Sequence, residues 1–322
     1  MNARRGAALF LLLSAFVPLL PAAEPAPPAA SFRITLLGTG NPRPTKARGG
    51  PSILVEAGPT RILVDAGRGA AERLHGIGGR DLLSGVDVVF LTHLHSDHVV
   101  GLPDVWLTGW LFGRKAPLRV EGPAGTAAFA ANLEKAYAFD VETRRDKDER
   151  LPGAGAVIDA KDLAPEAVVG IGGVKITAFA VDHGPVKPAY GYRIDYAGRS
   201  VVLSGDTRFS ENLIAHAKGC DVLIHEVVAV DVENRLSQMR DPAVTQRIID
   251  HHTAAEDAGR VFSAVKPKLA VYSHIVPSPT TAKDLEAPTR KSYSGPLLVG
   301  DDLTVITVGA SVGVGKRTVA FE

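Results

Sequence analysis

Cysteine is nearly absent from this chain. Cys220 is the only thiol among 322 residues, so no internal disulfide can form. An oxidising compartment is still open to it, because a body of about 290 residues can build a sizeable core without covalent staples. Cys220 precedes a strand and sits away from the polar turns, so it reads as a small buried thiol and not as a metal ligand. An excess of one charge is missing too, with 36 basic residues against 35 acidic ones. Proteins that grip polyanions carry a basic excess, so the balance argues against a nucleic-acid partner. Aromatics are scarce at 6%, whereas 33 Gly and 22 Pro imply many tight turns. The one apolar run of note, Gly6 to Leu20, is too short to span a bilayer.

That run has the layout of a secretory signal. Arg4 and Arg5 precede it, Pro21-Ala22-Ala23 follows it, and cleavage is expected near Ala23–Glu24. An uncleaved anchor or a twin-arginine signal are the alternatives. Residues 1–23 are thus expected to be removed, residues 24–31 to form a Pro/Ala-rich tether, and residues 32–322 to form one catalytic domain. Removal takes away two arginines and no acid, leaving a balance of −1. The expected location is the periplasm or the exterior, with no stable membrane insertion of the cleaved chain.

What is abundant is histidine in one place. Thr92-His93-Leu94-His95-Ser96-Asp97-His98 follows Val86 to Leu91, whose β-branched and apolar residues read as a buried strand. The cluster therefore sits just past a strand end, where open α/β sheets place ligand chemistry. Imidazole nitrogen plus carboxylate oxygen suits zinc, with manganese or iron as alternatives. Other strand-like runs end the same way. His183 follows Val174 to Val181, Asp206 follows Val201 to Leu203, and His274 follows Leu269 to Ser273. Any one of these alone reads as a structural histidine or a turn carboxylate. Their shared placement argues for convergence at one edge of the sheets. Ser52–Glu56 and Arg61–Val64 are expected to form a hairpin. Helices are expected from Ala70 to His75, Gly125 to Ala138, Asn212 to Ala217 and Ala254 to Val265, with a charged loop from Arg144 to Arg150.

At these residues the chain resembles the metallo-β-lactamase fold superfamily, in its ribonuclease Z and arylsulfatase-like branch. The resemblance is carried by Leu37-Gly38-Thr39-Gly40, Val64-Asp65-Ala66-Gly67, the HxHxDH at 93–98, His183 and Gly191-Tyr192-Arg193-Ile194. Ser204-Gly205-Asp206-Thr207, His225-Glu226, His251-His252-Thr253-Ala254 and His274 complete it. It implies an α/β (α+β) fold, a four-layer αββα sandwich. It implies two zinc ions, one held by His93, His95 and His183 and the other by Asp97, His98 and His274, with Asp206 bridging. Two such ions about 3.5 Å apart lower the pKa of a shared water and supply hydroxide near neutral pH. Asp97 could orient that nucleophile. Asp65 is expected to support a ligand histidine from behind. Glu226 and the histidine of a His-x-Thr-Ala motif are expected to form a proton relay to the leaving oxygen. Counting one residue before Thr253 assigns that role to His251 rather than His252.

The departures shape the expected substrate. The stretch from Arg144 to Gly173 shows no long Gly/Pro-rich basic arm of the kind with which ribonuclease Z enzymes grip tRNA. Arg68 stands where those enzymes usually carry an acid, and could meet a substrate anion. Trp106 and Trp110, in a segment like that of the arylsulfatase-like members, could wall an apolar part of the substrate. The leading expectation is an exported dinuclear zinc hydrolase of a small anionic ester, either a sulfate ester or a phosphodiester. The alternatives are a ribonuclease Z-like phosphodiesterase or nuclease, and an iron-dependent redox enzyme on the same fold. Nucleic acid is not expected as a partner, and a homodimer is left open.

Overall fold

The computed structural model describes residues 31–236, 241–277 and 279–319. The expected signal peptide and all but the last residue of the expected tether lie outside the described residues. Strands β1 (Phe32–Gly38), β2 (Ser52–Ala57), β3 (Thr60–Val64), β4 (Val88–Phe90), β5 (Leu118–Gly122) and β6 (Ile158–Asp162) belong to one sheet. Strands β7 (Val168–Ile171), β8 (Val174–Ala180), β9 (Tyr190–Tyr196), β10 (Arg199–Leu203), β11 (Val222–Val228), β12 (Leu269–Val276) and β13 (Leu297–Val299) form a second. Strands β14 (Thr304–Val308) and β15 (Val312–Lys316) return to the first, whose order is β15-β14-β1-β2-β3-β4-β5-β6.

Alternation along the strands makes the layers. Ile34, Val55, Ile62, Val64, Val88 and Phe90 face Ile176, Tyr192, Val201, Leu203, Ile224 and Val271 across the space between the sheets. The intervening residues face outward and are buried as well. Leu54, Leu63 and Val89 pack under helices α1 (Ala70–Ser84), α3 (Leu102–Leu111) and α4 (Thr126–Ala136), beyond the short α2 (Ser96–Val99). Val202, Leu223 and Ala270 pack under α6 (Glu211–Ala217) and α9 (Ala255–Val265). Sheets whose side chains are buried at successive positions need cover on both faces. The result is the expected αββα sandwich.

The charged run expected as a loop after Arg144 starts inside α5 (Ala138–Asp146), where Arg144 pairs with Asp140 one turn back at 2.9 Å. The rest of the stretch up to residue 173 supplies β6 and β7, which are edge strands of the two sheets. No arm projects from it. Helix α1 runs well past His75 to Ser84, with a break at Gly79. Helices α7 (Val230–Leu236) and α8 (Pro242–Asp250) form an excursion between β11 and α9, and α10 (Ala282–Thr289) follows β12. Among the described residues, no helix is long and apolar enough to cross a membrane.

The central strands set up the site. β3, β4 and β5 run parallel in the first sheet, and β10, β11 and β12 run parallel in the second. Asp65 and His93 lie just past the C-terminal ends of β3 and β4, and Asp206 just past that of β10. Glu226 and His274 lie in the C-terminal halves of β11 and β12.

Candidate metal centre

Seven side chains from four segments meet at this edge. One group, His93, His95, His183 and Asp206, has ligating atoms all within 4.8 Å of one another, and a second group is formed by Asp97, His98 and His274. Asp206 Oδ2 lies between them, 3.8 Å from His93 Nε2, 3.7 Å from His183 Nε2, 3.4 Å from His98 Nε2 and 3.3 Å from His274 Nε2. A single carboxylate facing four imidazole nitrogens is placed to bridge two cations. The donor set fits metal. His93 Nε2, His98 Nε2 and Asp206 Oδ1 are buried without a hydrogen-bond partner, and buried polar atoms normally have one. These are nitrogen and oxygen donors of the type that zinc takes.

The rings are aimed from behind. Asp65 accepts from the Thr92 amide at 2.8 Å, from the Thr92 hydroxyl at 2.9 Å and from His98 Nδ1 at 2.8 Å. It thereby joins the turn after β3 to the turn after β4 and fixes the tautomer of His98. Its backbone is left-handed, with φ 58°, a conformation that costs a non-glycine residue free energy and persists where surrounding contacts hold it. A Cβ on Gly67 would come within 2.5 Å of the Asp97 carbonyl oxygen, so only glycine lets the 65–67 turn approach the Asp97 backbone. Thr92 also lies 3.0 Å from His93 Nδ1, and His183 Nδ1 donates to the His251 carbonyl at 2.8 Å. Sequence reading passed over Thr92. Its signal was a hydroxyl placed directly before the first ligand.

The electrostatics follow from burial and crowding. Burial opposes charge on Asp206, but His274, His98 and His93 outweigh it and hold the carboxyl well below the usual range. Burial also opposes charge on His98, yet Asp206, Asp65 and Asp97 raise its pKa well above the ordinary value. His93, buried and beside His98, is pushed well below it.

The proton-relay assignment needs correction. Glu226 meets His252, not His251: Glu226 Oε2 is 3.1 Å from His252 Nδ1, while Oε1 accepts from the Thr253 amide at 2.8 Å. Burial alone would lower the pKa of His252, and the Glu226 carboxylate reverses that and raises it. His251 is pushed down to about 4, by burial first and then by His252 and His183. It is the C-cap residue of α8, and its backbone carbonyl does the work by orienting His183.

The cluster opens into a cavity of about 480 Å³. His95, Asp97, Asp206, His252 and His274 line it together with Val276 and Pro277, and Glu233 of α7 and Ile248 of α8 are also part of this lining. The expected substrate-binding residues are elsewhere. Trp106 and Trp110 are 0% and 1% exposed. They are i,i+4 neighbours on one face of α3, and their indoles donate to the Ala156 and Pro152 carbonyls at 3.2 and 2.9 Å. They anchor the segment before β6 and do not line the cavity beside the cluster. Arg68 lines a separate surface depression with Lys46, Arg48 and Arg73. Cys220 is buried away from the ligands, and burial pushes its thiol up to about 12.

Two packed sheets carrying a His/Asp cluster at their strand ends define a metal-dependent hydrolase of the metallo-β-lactamase fold. Residues 60–275 match the beta-lactamase superfamily domain. Ribonuclease Z of Mycobacterium avium (strain 104) is 36% identical over 284 residues, covering 87% of this chain and 99% of that protein. Ribonuclease Z of Mycolicibacterium gilvum (strain PYR-GCK) is 35% identical over 287 residues, covering 87% and 98%. Among solved structures, the short form of human tRNase Z shares the fold with a TM-score of 0.62 at 18% identity, over 86% of this chain and 99% of that one. The metallo-beta-lactamase fold protein YhfI from Bacillus subtilis does so at 0.66 and 19%, over 86% and 100%. The chain belongs to the beta-lactamase superfamily, on its ribonuclease Z branch. These relatives overturn the expectation that nucleic acid is no partner. Total charge was the wrong quantity to read, because the local field around a cleft, not the sum over the surface, steers an anion.

Proposed function

We propose that this protein is a zinc-dependent phosphodiesterase of ribonuclease Z type that hydrolyses an RNA phosphodiester. The observation that carries the reading is Asp206 standing between two groups of ligands, with the Glu226–His252 pair beside them. Curated relatives aligned over nearly their whole length are ribonucleases by name, and none of those named above is a sulfatase. In this reading His93, His95, His183 and Asp206 hold one cation, and Asp97, His98, His274 and Asp206 hold the other. Two cations there would supply a water of lowered pKa and neutralise charge on a phosphoryl oxygen.

The chain's own residues do the rest. Asp65, Thr92 and the His251 carbonyl keep ligand rings in one orientation. Asp97, whose Oδ2 lies 3.2 Å from His274 Nε2, is placed to accept a proton from the attacking water. His252, held and charged by Glu226, gives a proton to the departing ribose oxygen. Ile248, Val276 and Pro277 give the cavity an apolar wall beside the ligands. Purified protein should contain two zinc ions per chain and cleave an RNA carrying a 3′ extension, with cleavage abolished by chelation and restored by zinc. Metal-loaded protein without phosphodiesterase activity on RNA would refute the reading. Export is part of the proposal, and N-terminal sequencing of the mature protein should begin near Glu24.

A further inference from the structure

The motif Leu37-Gly38-Thr39-Gly40 takes no part in the chemistry derived so far. It ends β1 and opens the loop of residues 39–51 that leads to β2. A single carboxylate holds both arms of that loop. Asp302, two residues before β14 and 9% exposed, accepts through Oδ1 from the Thr39 amide and the Thr39 hydroxyl, each at 2.9 Å. Through Oδ2 it accepts from the Gly49 amide and from Arg73 of α1, each at 2.7 Å. The Gly40 amide donates to the Gly49 carbonyl at 2.8 Å and closes the neck. A Cβ on Gly38 would come within 1.9 Å of the Gly50 carbonyl oxygen, so glycine is what lets the two arms lie against each other.

Held at this neck, the loop does two things. Asn41, Pro42 and Arg43 form part of the cavity lining beside the ligands. The same stretch grips β12. The Thr39 carbonyl accepts from the Ile275 amide at 3.0 Å, and Asn41 Nδ2 donates to the Ile275 carbonyl at 2.6 Å. β13 pairs with β12 from Ala270 to Tyr272, so at Ile275, beyond that ladder, the loop takes the place of a neighbouring strand. Ile275 directly follows His274, whose backbone is left-handed with φ 44°. A non-glycine residue persists in that conformation where its surroundings hold it. The β11–β12 ladder passes from the His225–Tyr272 pair to the Val227–Ile275 pair and leaves His274 without a registered partner.

We propose that Asp302 is a positioning residue for the site: by clamping both arms of the loop, it sets the wall formed by Asn41 to Arg43 and holds the backbone that aims His274. Hydrogen bonds to an ionised acceptor are stronger than neutral ones, and this carboxylate takes four of them. The neighbouring Asp301 provides the contrast. Its partner is Arg48 and its side chain is 62% exposed, so it contributes little.

The proposal rests on the reading of His274 as a ligand, and the test separates the two. Full-length wild-type protein is compared with Asp302→Ala, Asp302→Asn and Asp301→Ala. Amide hydrogen exchange is followed in the zinc-free protein, zinc affinity by chelator competition, and KM and kcat on an RNA phosphodiester at saturating zinc. Asp302→Ala should speed exchange in residues 39–49 and 274–276 while the β3–β5 core stays protected. It should weaken the second zinc by about 10-fold, the low end of what groups that orient a ligand from behind typically carry. KM should rise several-fold with kcat little changed, the pattern of lost binding that ground state and transition state share. Asp302→Asn keeps one acceptor oxygen, so it should fall between Asp302→Ala and the wild type, and it decides should Asp302→Ala fail to fold. Asp301→Ala should match the wild type. Unchanged exchange at residues 274–276 or unchanged zinc affinity in the folded Asp302 variants would overturn the proposal and leave the ligand set standing. So would exchange that rises evenly over the whole domain, or a loss in kcat at unchanged KM. Wild-type protein that cannot take up two zinc ions would overturn the ligand set itself, and exchange in the zinc-free protein would still report on the clamp.

Discussion

Replacing His252 by alanine tests the relay against a leaving group that does not need it. Of the two adjacent histidines, only His252 has a carboxylate on its ring, 3.1 Å from Glu226 Oε2. Its ring also reaches the cluster: one of its nitrogens lies with Asp206 and His274 in a group whose ligating atoms are all within 4.8 Å. A positioned acid typically contributes ~10²–10⁴-fold, or about 3–5 kcal/mol at the transition state. That term operates only when the departing oxygen is a poor leaving group such as a ribose alkoxide. p-Nitrophenolate leaves without a proton. His252→Ala should therefore lower kcat/KM on an RNA phosphodiester by about 10²–10⁴-fold, and on bis-p-nitrophenyl phosphate by less than about 10-fold. His251→Ala should spare both substrates, because the backbone carbonyl that holds His183 survives the substitution. Steady-state kinetics on the two substrates, with zinc content measured for each variant, is the assay. Equal losses on both substrates, or a larger loss from His251→Ala, would refute the reasoning.

Glu226→Gln should act on the same pair through pH. The carboxylate raises the pKa of His252, so the acid form survives to higher pH and activity falls as pH rises through that value. Without the carboxylate the alkaline fall should move to lower pH, and an unmoved limb in the pH–rate profile would count against the relay. Asp206→Ala should leave fewer than two zinc ions per chain by elemental analysis and abolish most activity. Retention of both ions at full rate would dismiss the bridge. Metal removal from the wild-type protein should lower the unfolding midpoint, since a ligand at 100 times its Kd stabilises by about 2.7 kcal/mol. Trp106→Ala should cost about 3–5 kcal/mol of stability while kcat of the folded fraction stays unchanged. A changed KM in that variant would mean that the indole reaches the substrate after all.

Much of the site was legible from order along the chain. Strand runs such as Val86–Leu91 and Val201–Leu203 announce themselves by apolar, β-branched composition, and the residue after a parallel strand must emerge at its C-terminal end. His93 and Asp206 come two or three residues after such runs, and His183 comes soon after the antiparallel β8, so their convergence needed only that the two sheets face each other. The hairpin at 52–64 was equally plain, because the turn residues Gly58 and Pro59 lie between two alternating runs. The edge strands β6 and β7 were not, because they are largely exposed and carry too little of a buried face to leave a pattern.

Side-chain direction is what tertiary structure alone decided. His251 and His252 are consecutive, and no spacing rule tells which ring turns toward Glu226. The end of α8 settles it by capping the helix with the first and sending the second inward. Trp106 and Trp110 sit on a helix whose rotation against the first sheet buries both indoles, whereas their chemistry alone would suit a pocket wall equally well. Arg68 directly follows the 65–67 turn that supports the cluster, yet it opens onto a different depression. Net charge could not speak for the substrate either, since it sums over a surface whose local field is set by the fold. The sequence by itself determined which chemistry was available and at which strand ends. Packing between the sheets decided which atoms meet, because backbone order fixes position along a strand but not the rotamer or helix rotation that aims a side chain.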